Sequence, residues 1–285
     1  DEEDCKELSE PYRPGKLREM SFANIIGMVK EYRSLYGFYS DDLVGDYKRT
    51  IERLQKEQRA AIEQQFSSFG NVLYSELHDF LNHGHEWIAA YDESLASVHG
   101  LDFTDLICGV HRLFQDPVVR ERWRRRYSYI SVDEMQDTGV LEYKVLEMLW
   151  EGNHVLLCGD YFQTIYEWRG SNPFRLLKQF DADFKPLKII FYENYRSNWT
   201  LFTMAFKTLQ NMFPDLVGSI YTELPRAISE RKGKPVLIKG CKNSYLEGRY
   251  IYEAICALPK DANIGVLVRD NKKAQRLSDS FERLN

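Results

Sequence analysis

Tyr129-Ile130-Ser131-Val132-Asp133-Glu134-Met135-Gln136-Asp137-Thr138 is the stretch that decides how this chain folds. Four β-prone residues run straight into two acids, so the pattern predicts a short strand with Asp133 and Glu134 at its carboxyl end. Apolar residues at helical spacing follow at Leu141, Val145, Met148 and Leu149. A second apolar run, His154-Val155-Leu156-Leu157-Cys158, then closes on Gly159-Asp160. Strand, helix and strand in that order predict a parallel sheet with crossover helices. Open sheets of this class bind ligands outside the carboxyl ends of their strands, which is where both acidic turns fall.

The same rhythm continues toward the C-terminus. A helix through Pro173 to Phe180 leads to a third strand, Leu187-Lys188-Ile189-Ile190-Phe191. A helix from Trp199 to Met212, a strand Pro235-Val236-Leu237-Ile238, a helix from Tyr245 to Leu258, a strand from Ile264 to Val268 and a helix from Lys272 to Leu284 complete the alternation. The Pro- and Gly-containing stretch from Pro214 to Pro235 reads as a connecting segment. Upstream the pattern is different. Ile25, Ile26, Val29 and Tyr32 recur at helix spacing, as do Tyr47, Ile51, Leu54 and Ile62, and then Leu73, Leu77, Phe80 and Leu81. Residues to about 115 therefore read as an all-helical unit. The fold class predicted is α/β, with a parallel sheet flanked by helices and an N-terminal all-helical subdomain.

Composition sets wider bounds. The chain has 285 residues, a length that suggests about two domains, with 44% hydrophobic and 28% charged residues, so a packed globular protein is expected rather than a disordered one. Its 38 Lys+Arg against 43 Asp+Glu give a net charge of −5. That excludes a histone-like polycation but not a local groove for nucleic acid. Five cysteines, odd in number and with no Cys-x-x-Cys pair, argue against a disulfide framework and for a reducing intracellular compartment. No apolar run is long enough for a membrane span. The opening Asp1-Glu2-Glu3-Asp4 is not a signal peptide, and the missing initiator Met leaves open a piece of something longer.

Three blocks carry chemistry. Asp133 and Glu134 are hard carboxylates able to hold Mg²⁺ through water and to orient an attacking water. The alternative is a solvated turn in which Asp137 or Thr138 caps the following helix. Gly159-Asp160-Tyr161-Phe162-Gln163-Thr164-Ile165-Tyr166-Glu167-Trp168-Arg169-Gly170-Ser171 follows the next strand. Gln163 can sense a phosphate or hold a water. Tyr166 and Trp168 offer flat faces for stacking bases, unless they are simply core. Asn194-Tyr195-Arg196-Ser197 sits at a helix start, where Arg196 can reach a γ-phosphate or remain a surface cation. Of lesser weight are the run Arg120, Arg122, Arg124, Arg125 and Arg126 around Trp123, and His83-Gly84-His85, which reads as a surface turn.

Together, in this order and spacing, the three blocks closely resemble motifs II, III and IV of the UvrD/Rep/PcrA family of superfamily 1 DNA helicases. Leu101-Asp102-Phe103-Thr104-Asp105-Leu106-Ile107 is similar to the segment that precedes the acids in that family. Ile264 to Leu284, with Val266-Leu267-Val268-Arg269, is similar to the strand and helix that open its second motor domain. The resemblance covers roughly residues 75–285. It implies two RecA-like domains and a 1B-type insertion, divided here as a helical 1B-like subdomain at 1–115, a 1A portion with motifs II and III at 116–192, and motif IV with the start of 2A at 193–285. It implies ATP as substrate with Mg²⁺ held by Asp133, a water activated by Glu134, a γ-phosphate contact from Gln163 and charge stabilisation from Arg196. It further implies that Trp168 stacks on a base of single-stranded DNA, that Tyr166 supports it, that Arg169 pairs with the acids, and that movement is 3′ to 5′.

Two departures matter. Tyr161 and Phe162 stand where the family usually carries Asp, Pro or Lys. More seriously, no Gly-x-x-x-x-Gly-Lys-Ser/Thr occurs: Gly15-Lys16 is followed by Leu17, and Gly233-Lys234 by Pro235. Without that loop nothing cradles the β/γ-phosphates, so the 285 residues alone are expected not to turn over ATP. The chain thus reads as a central slice of a helicase acting on single-stranded and duplex DNA. Alternatives are the motor of a RecB- or AddA-like helicase-nuclease, or a binding module for single-stranded DNA with no ATPase activity. An RNA helicase fits less well.

Overall fold

A computed structural model describes residues 19–68, 71–164, 173–229, 233, 235–268 and 271–284. The fold is mixed helix and strand and divides into two compact units, Asp1–Lys188 and Ile189–Asn285.

The first unit begins with helices α1 (Glu19–Tyr36), α2 (Leu43–Glu57) and α3 (Arg59–Gln65). A short antiparallel pair follows, β1 (Ser67–Ser68) with β2 (Asn71–Val72), and then α4 (Tyr74–Ser97). Phe22, Ile25, Ile26 and Val29 form the buried stripe of α1 and meet Tyr47, Ile51 and Leu54 of α2 and Phe80, Ile88 and Tyr91 of α4. Each of these fully buried side chains stabilises the unit by roughly 1.5–3 kcal/mol. The Asp42 carboxylate accepts from the Gly45 N–H at 2.8 Å to start α2. The region is helical as expected, apart from the two-residue hairpin. His83-Gly84-His85, expected as a surface turn, lies instead inside α4. Gly84 is buried there because the Phe80 ring lies across it, leaving no room for a Cβ.

Three further helical pieces lead into the sheet. Asp102 and Asp105 form a reciprocal capping box that starts α5 (Phe103–Leu113). Asp116 caps α6 (Pro117–Arg124), which has Pro117 in its first turn. Next come β3 (Tyr129–Val132), α7 (Val140–Glu147), β4 (His154–Leu157) and α8 (Pro173–Phe184). β3 and β4 pair in parallel, with Tyr129 opposite His154 and Val132 opposite Leu157. Ile130, Val132, Val155 and Leu157 face one side and pack on Met135, Tyr143, Trp150, Leu176 and Phe180. This is the period-2 alternation of a half-buried strand.

The second unit contains β5 (Glu193–Asn198), α9 (Trp199–Met212), α10 (Pro214–Ile220), β6 (Arg226–Ser229), α11 (Ser244–Cys256) and α12 (Asn271–Glu282). β5 and β6 are parallel, with Glu193 opposite Arg226 and Asn194 opposite Ala227. The connecting segment expected from Pro214 to Pro235 therefore contains a helix and a strand. Pro214 starts α10 in the position where a missing N–H costs nothing.

The three other expected strands are not in ladders. Residues 187–191, 235–238 and 264–268 lie outside regular structure. Leu187 is 88% exposed, Ile238 86% and Leu267 98%. Apolar runs of this kind become strands when a neighbour pairs with them, and the described residues supply no such pairing. The parallel sheets are consequently pairs of strands. No described helix is long and apolar enough to cross a membrane. Cys108, Cys158, Cys241 and Cys256 are free thiols.

Candidate functional site at the ends of two parallel strands

Asp133 and Glu134 leave the end of β3 with exposed carboxylates. Glu134 has a left-handed backbone, φ 51° and ψ 39°, which costs a non-glycine residue about 1 kcal/mol or more. The turn is held by a Met135 N–H donating to the Cys158 carbonyl at 2.9 Å, and the ladder continues as the Cys158 N–H donates to the Val132 carbonyl at 2.8 Å. The acidic loop thus rests directly on the end of β4.

Gln136 joins the two loops. It is 2% exposed, in a one-turn 3₁₀ segment at Met135–Asp137. Its Nε2 donates to Glu134 Oε2 at 2.5 Å and its Oε1 accepts from the Asp160 N–H at 3.0 Å. The Thr164 hydroxyl donates to the Gln136 carbonyl at 3.3 Å. A second 3₁₀ turn, Tyr161–Gln163, carries Gln163. Asp160 caps that turn by accepting from the Phe162 N–H at 2.9 Å, and its other oxygen accepts from Gln163 Nε2 at 2.8 Å. Gly159 fits because a Cβ there would lie 2.6 Å from Gln136 Oε1.

The structure therefore brings Asp133, Glu134 and Gln163 to one edge of the β3–β4 pair. Neither Asp137 nor Thr138 caps α7, contrary to the turn alternative. Gly139 is the cap residue, and its N–H donates to the Glu142 carboxylate at 2.8 Å. Asp137 Oδ1 is buried without a hydrogen-bond partner among the described residues. Tyr161, in the place where the family pattern differs, is half-buried, and burial followed by Asp181 pushes its phenol pKa up.

Arg196 belongs to the second unit. It lies within β5 rather than at a helix start, with an exposed side chain that makes no ion pair among the described residues. Asn194 Oδ1 accepts from the Arg196 and Ser197 N–H groups at 3.1 and 2.8 Å and shapes this turn. Tyr166, Trp168 and Arg169 lie outside the described residues. The Arg120–Arg126 run is largely engaged within the protein. Arg124 pairs with Glu121 at 2.6 Å and with Glu151 at 2.5 Å, Arg125 pairs with Glu121 at 2.5 Å, and Arg126 lies over Trp123. Among the described residues no three His, Cys, Asp or Glu side chains are grouped to cage a metal. One or two carboxylates completed by phosphate oxygens are, however, the donor set that Mg²⁺ takes with nucleotides, and Asp133 and Glu134 fit it.

Sequence reasoning missed two groups. Gln136 was visible only as a polar residue near the acids, and its bonds to residues 24 and 28 positions away leave no trace in local patterning. A glycine between a strand and an Asp was the one available signal of the close approach at Gly159. Lys30 was missed as well: it is buried against Asp92, Asp102 and Asp105.

Comparison with known proteins places these features in a family. Residues 3–185 match the UvrD/REP helicase N-terminal domain, and residues 189–285 match the UvrD-like helicase C-terminal domain. The chain is similar to an ATP-dependent DNA helicase Rep of Buchnera aphidicola, at 33% identity over 65% of this chain and 28% of that protein. It is similar to a DNA helicase II of Haemophilus influenzae, at 30% identity over 70% of this chain and 28% of the relative. It is also similar to an ATP-dependent DNA helicase PcrA of Bacillus subtilis, at 30% identity over 68% and 26% respectively. The aligned portion is thus just over a quarter of the length of each of these relatives.

Proposed function

The chain belongs to the UvrD/Rep family of DNA helicases, and from that premise we propose that the polypeptide carrying it is an ATP-driven motor that separates duplex DNA by tracking 3′ to 5′ on one strand. One observation supports this most strongly. The register of β3 and β4 sets Asp133, Glu134 and Gln163 at a common edge, at the carboxyl ends where α/β sheets bind nucleotides.

Asp133 would hold Mg²⁺ on the nucleotide, and the ion would neutralise charge on the phosphates. Glu134, exposed and held by one hydrogen bond, orients the attacking water. Gln163 reaches for the γ-phosphate, and Arg196 contributes positive charge to the transferring group. Tyr166 and Trp168 provide the stacking surface for single-stranded DNA. Arg169 pairs with the acids of the first loop and holds the junction of the two motifs. The proposed division is a 1B-like helical subdomain at 1–115, a RecA-like 1A portion at 116–192, and motif IV with the start of a RecA-like 2A at 193–285. The chain is a central portion of a longer intracellular polypeptide, and alone it does not hydrolyse ATP. The share of its relatives it aligns with and the lack of a phosphate loop in its sequence support this reading.

The test is strand separation by the complete polypeptide on duplexes with a 3′ or a 5′ single-stranded tail. ATP-dependent separation of the 3′-tailed duplex is expected. Failure on both, with ATP present, would contradict the proposal.

A further inference from the structure

We propose that Gln136 is a positioning residue that couples the water-orienting Glu134 to the phosphate-sensing loop, so that neither moves without the other. This rests on the ATPase reading above, but the coupling itself is drawn from four hydrogen bonds. Three run in sequence, Glu134 Oε2 to Gln136 Nε2 at 2.5 Å, Gln136 Oε1 to the Asp160 N–H at 3.0 Å and Asp160 Oδ2 to Gln163 Nε2 at 2.8 Å, and the fourth branches from the Gln136 carbonyl to the Thr164 hydroxyl at 3.3 Å.

The orientation of the carboxamide is fixed by its partners. The Asp160 N–H can only donate and the Glu134 carboxylate only accept, so one orientation satisfies both and the flipped one satisfies neither. The group is 2% exposed, which denies it water as a substitute partner. Its room to shift is also limited, because Gly159 leaves just the volume that the Gln136 oxygen occupies. Gln163, at the far end, is exposed and among the described residues is held through Asp160. When Gln163 turns toward a phosphate it releases Asp160 Oδ2. The relaxation of Asp160 reaches Gln136 through the main-chain bond and Glu134 through the carboxamide. This is a contiguous physical link between two elements.

Two variants separate the arms. Gln136→Glu keeps an acceptor for the Asp160 N–H but replaces the amide donor with a carboxyl that shares a proton with Glu134 or repels it. Gln136→Met has similar volume and loses both. The first readout needs no nucleotide: amide hydrogen exchange at Asp160 in the complete polypeptide. Exchange at Asp160 is expected to stay slow in Gln136→Glu and to accelerate about 10-fold or more in Gln136→Met, as when a buried hydrogen bond is lost. The second readout is steady-state ATP hydrolysis with single-stranded DNA. Both variants are expected to lower kcat about 10- to 100-fold with KM for ATP within about twofold, the signature of an interaction used in the transition state. Gln136→Met is further expected to lose stimulation by DNA, which Gln136→Glu retains.

Unchanged exchange at Asp160 in Gln136→Met would overturn the coupling. So would an unchanged kcat in Gln136→Glu, or losses in kcat and KM together with a lowered thermal midpoint in both variants, which would signify packing alone. A wild-type polypeptide that hydrolyses no ATP while the exchange pattern holds would overturn the ATPase reading and leave the Gln136 link standing.

Discussion

Replacing Lys30 by methionine is expected to destabilise the first unit by several kcal/mol. Lys30 is 4% exposed, and its Nζ lies 3.0 Å from Asp92, 2.8 Å from Asp102 and 2.6 Å from Asp105. Burial works against its charge, but the three carboxylates outweigh burial and hold the proton above the ordinary lysine range. The same acids have other tasks. Asp102 and Asp105 cap α5, the Tyr91 hydroxyl donates to Asp102, and the Tyr47 hydroxyl donates to Asp92. Methionine would fill the volume and leave three carboxylates facing one another. Breaking a buried pair from one side costs about 3–5 kcal/mol. The carboxylates retain 12–23% exposure, which favours the lower end, about 3 kcal/mol. For a unit of this size that corresponds to a midpoint lowered by roughly 6–12 °C. Denaturation followed by tryptophan fluorescence, to which Trp87 packed against the first core contributes, reports it. The loss must also depend on pH. Burial already raises the Asp105 pKa against the pull of Lys30, and removing Lys30 raises it further. A raised folded-state pKa gives stability that is full below the ordinary value of 3.8 and lost as pH rises through the folded value. Lys30→Met should therefore recover part of its deficit on acidification from pH 8 to pH 5. A deficit below about 1 kcal/mol, or one equal at the two pH values, would refute the assigned role.

Two other changes test separate parts of the fold. Burial, and behind it Glu142, push the Glu31 carboxyl pKa up to about 8 from 4.5. Stability from this group is full below 4.5 and falls as pH rises toward and through about 8, so Glu31→Gln should flatten the decline in denaturation midpoint across that window. Gly84→Ala would normally favour a helix by about 1 kcal/mol, but a Cβ would lie 2.6 Å from the buried Phe80 ring. Overpacking of about 1–3 kcal/mol is expected to win, and a raised midpoint would contradict that.

Helices were legible wherever one apolar stripe decided the outcome. The run from Trp199 to Met212 is a helix over those very residues, because Asn198 caps it and the chain breaks at Phe213 before Pro214. The strands that end in Asp133 and in Gly159-Asp160 were legible for a related reason, since each joins an apolar run to an acidic turn. Leu187 to Phe191 has the same composition as a strand, yet pairing is a non-local event that composition does not encode. His83-Gly84-His85 read as a surface turn, whereas Gly84 lies inside a helix and makes space there for Phe80. At the candidate site the acids and Gln163 stood out by type and position. Gln136 did not, because its importance lies in two partners met only after folding.

The most direct test of the central claim is single-turnover ATP hydrolysis by the complete polypeptide carrying Glu134→Gln, measured beside nucleotide affinity. Binding of ATP is expected to stay within about threefold of wild type while DNA-stimulated hydrolysis falls by about 100-fold or more, as removal of a water-orienting carboxylate requires. Hydrolysis at the wild-type rate would contradict the account.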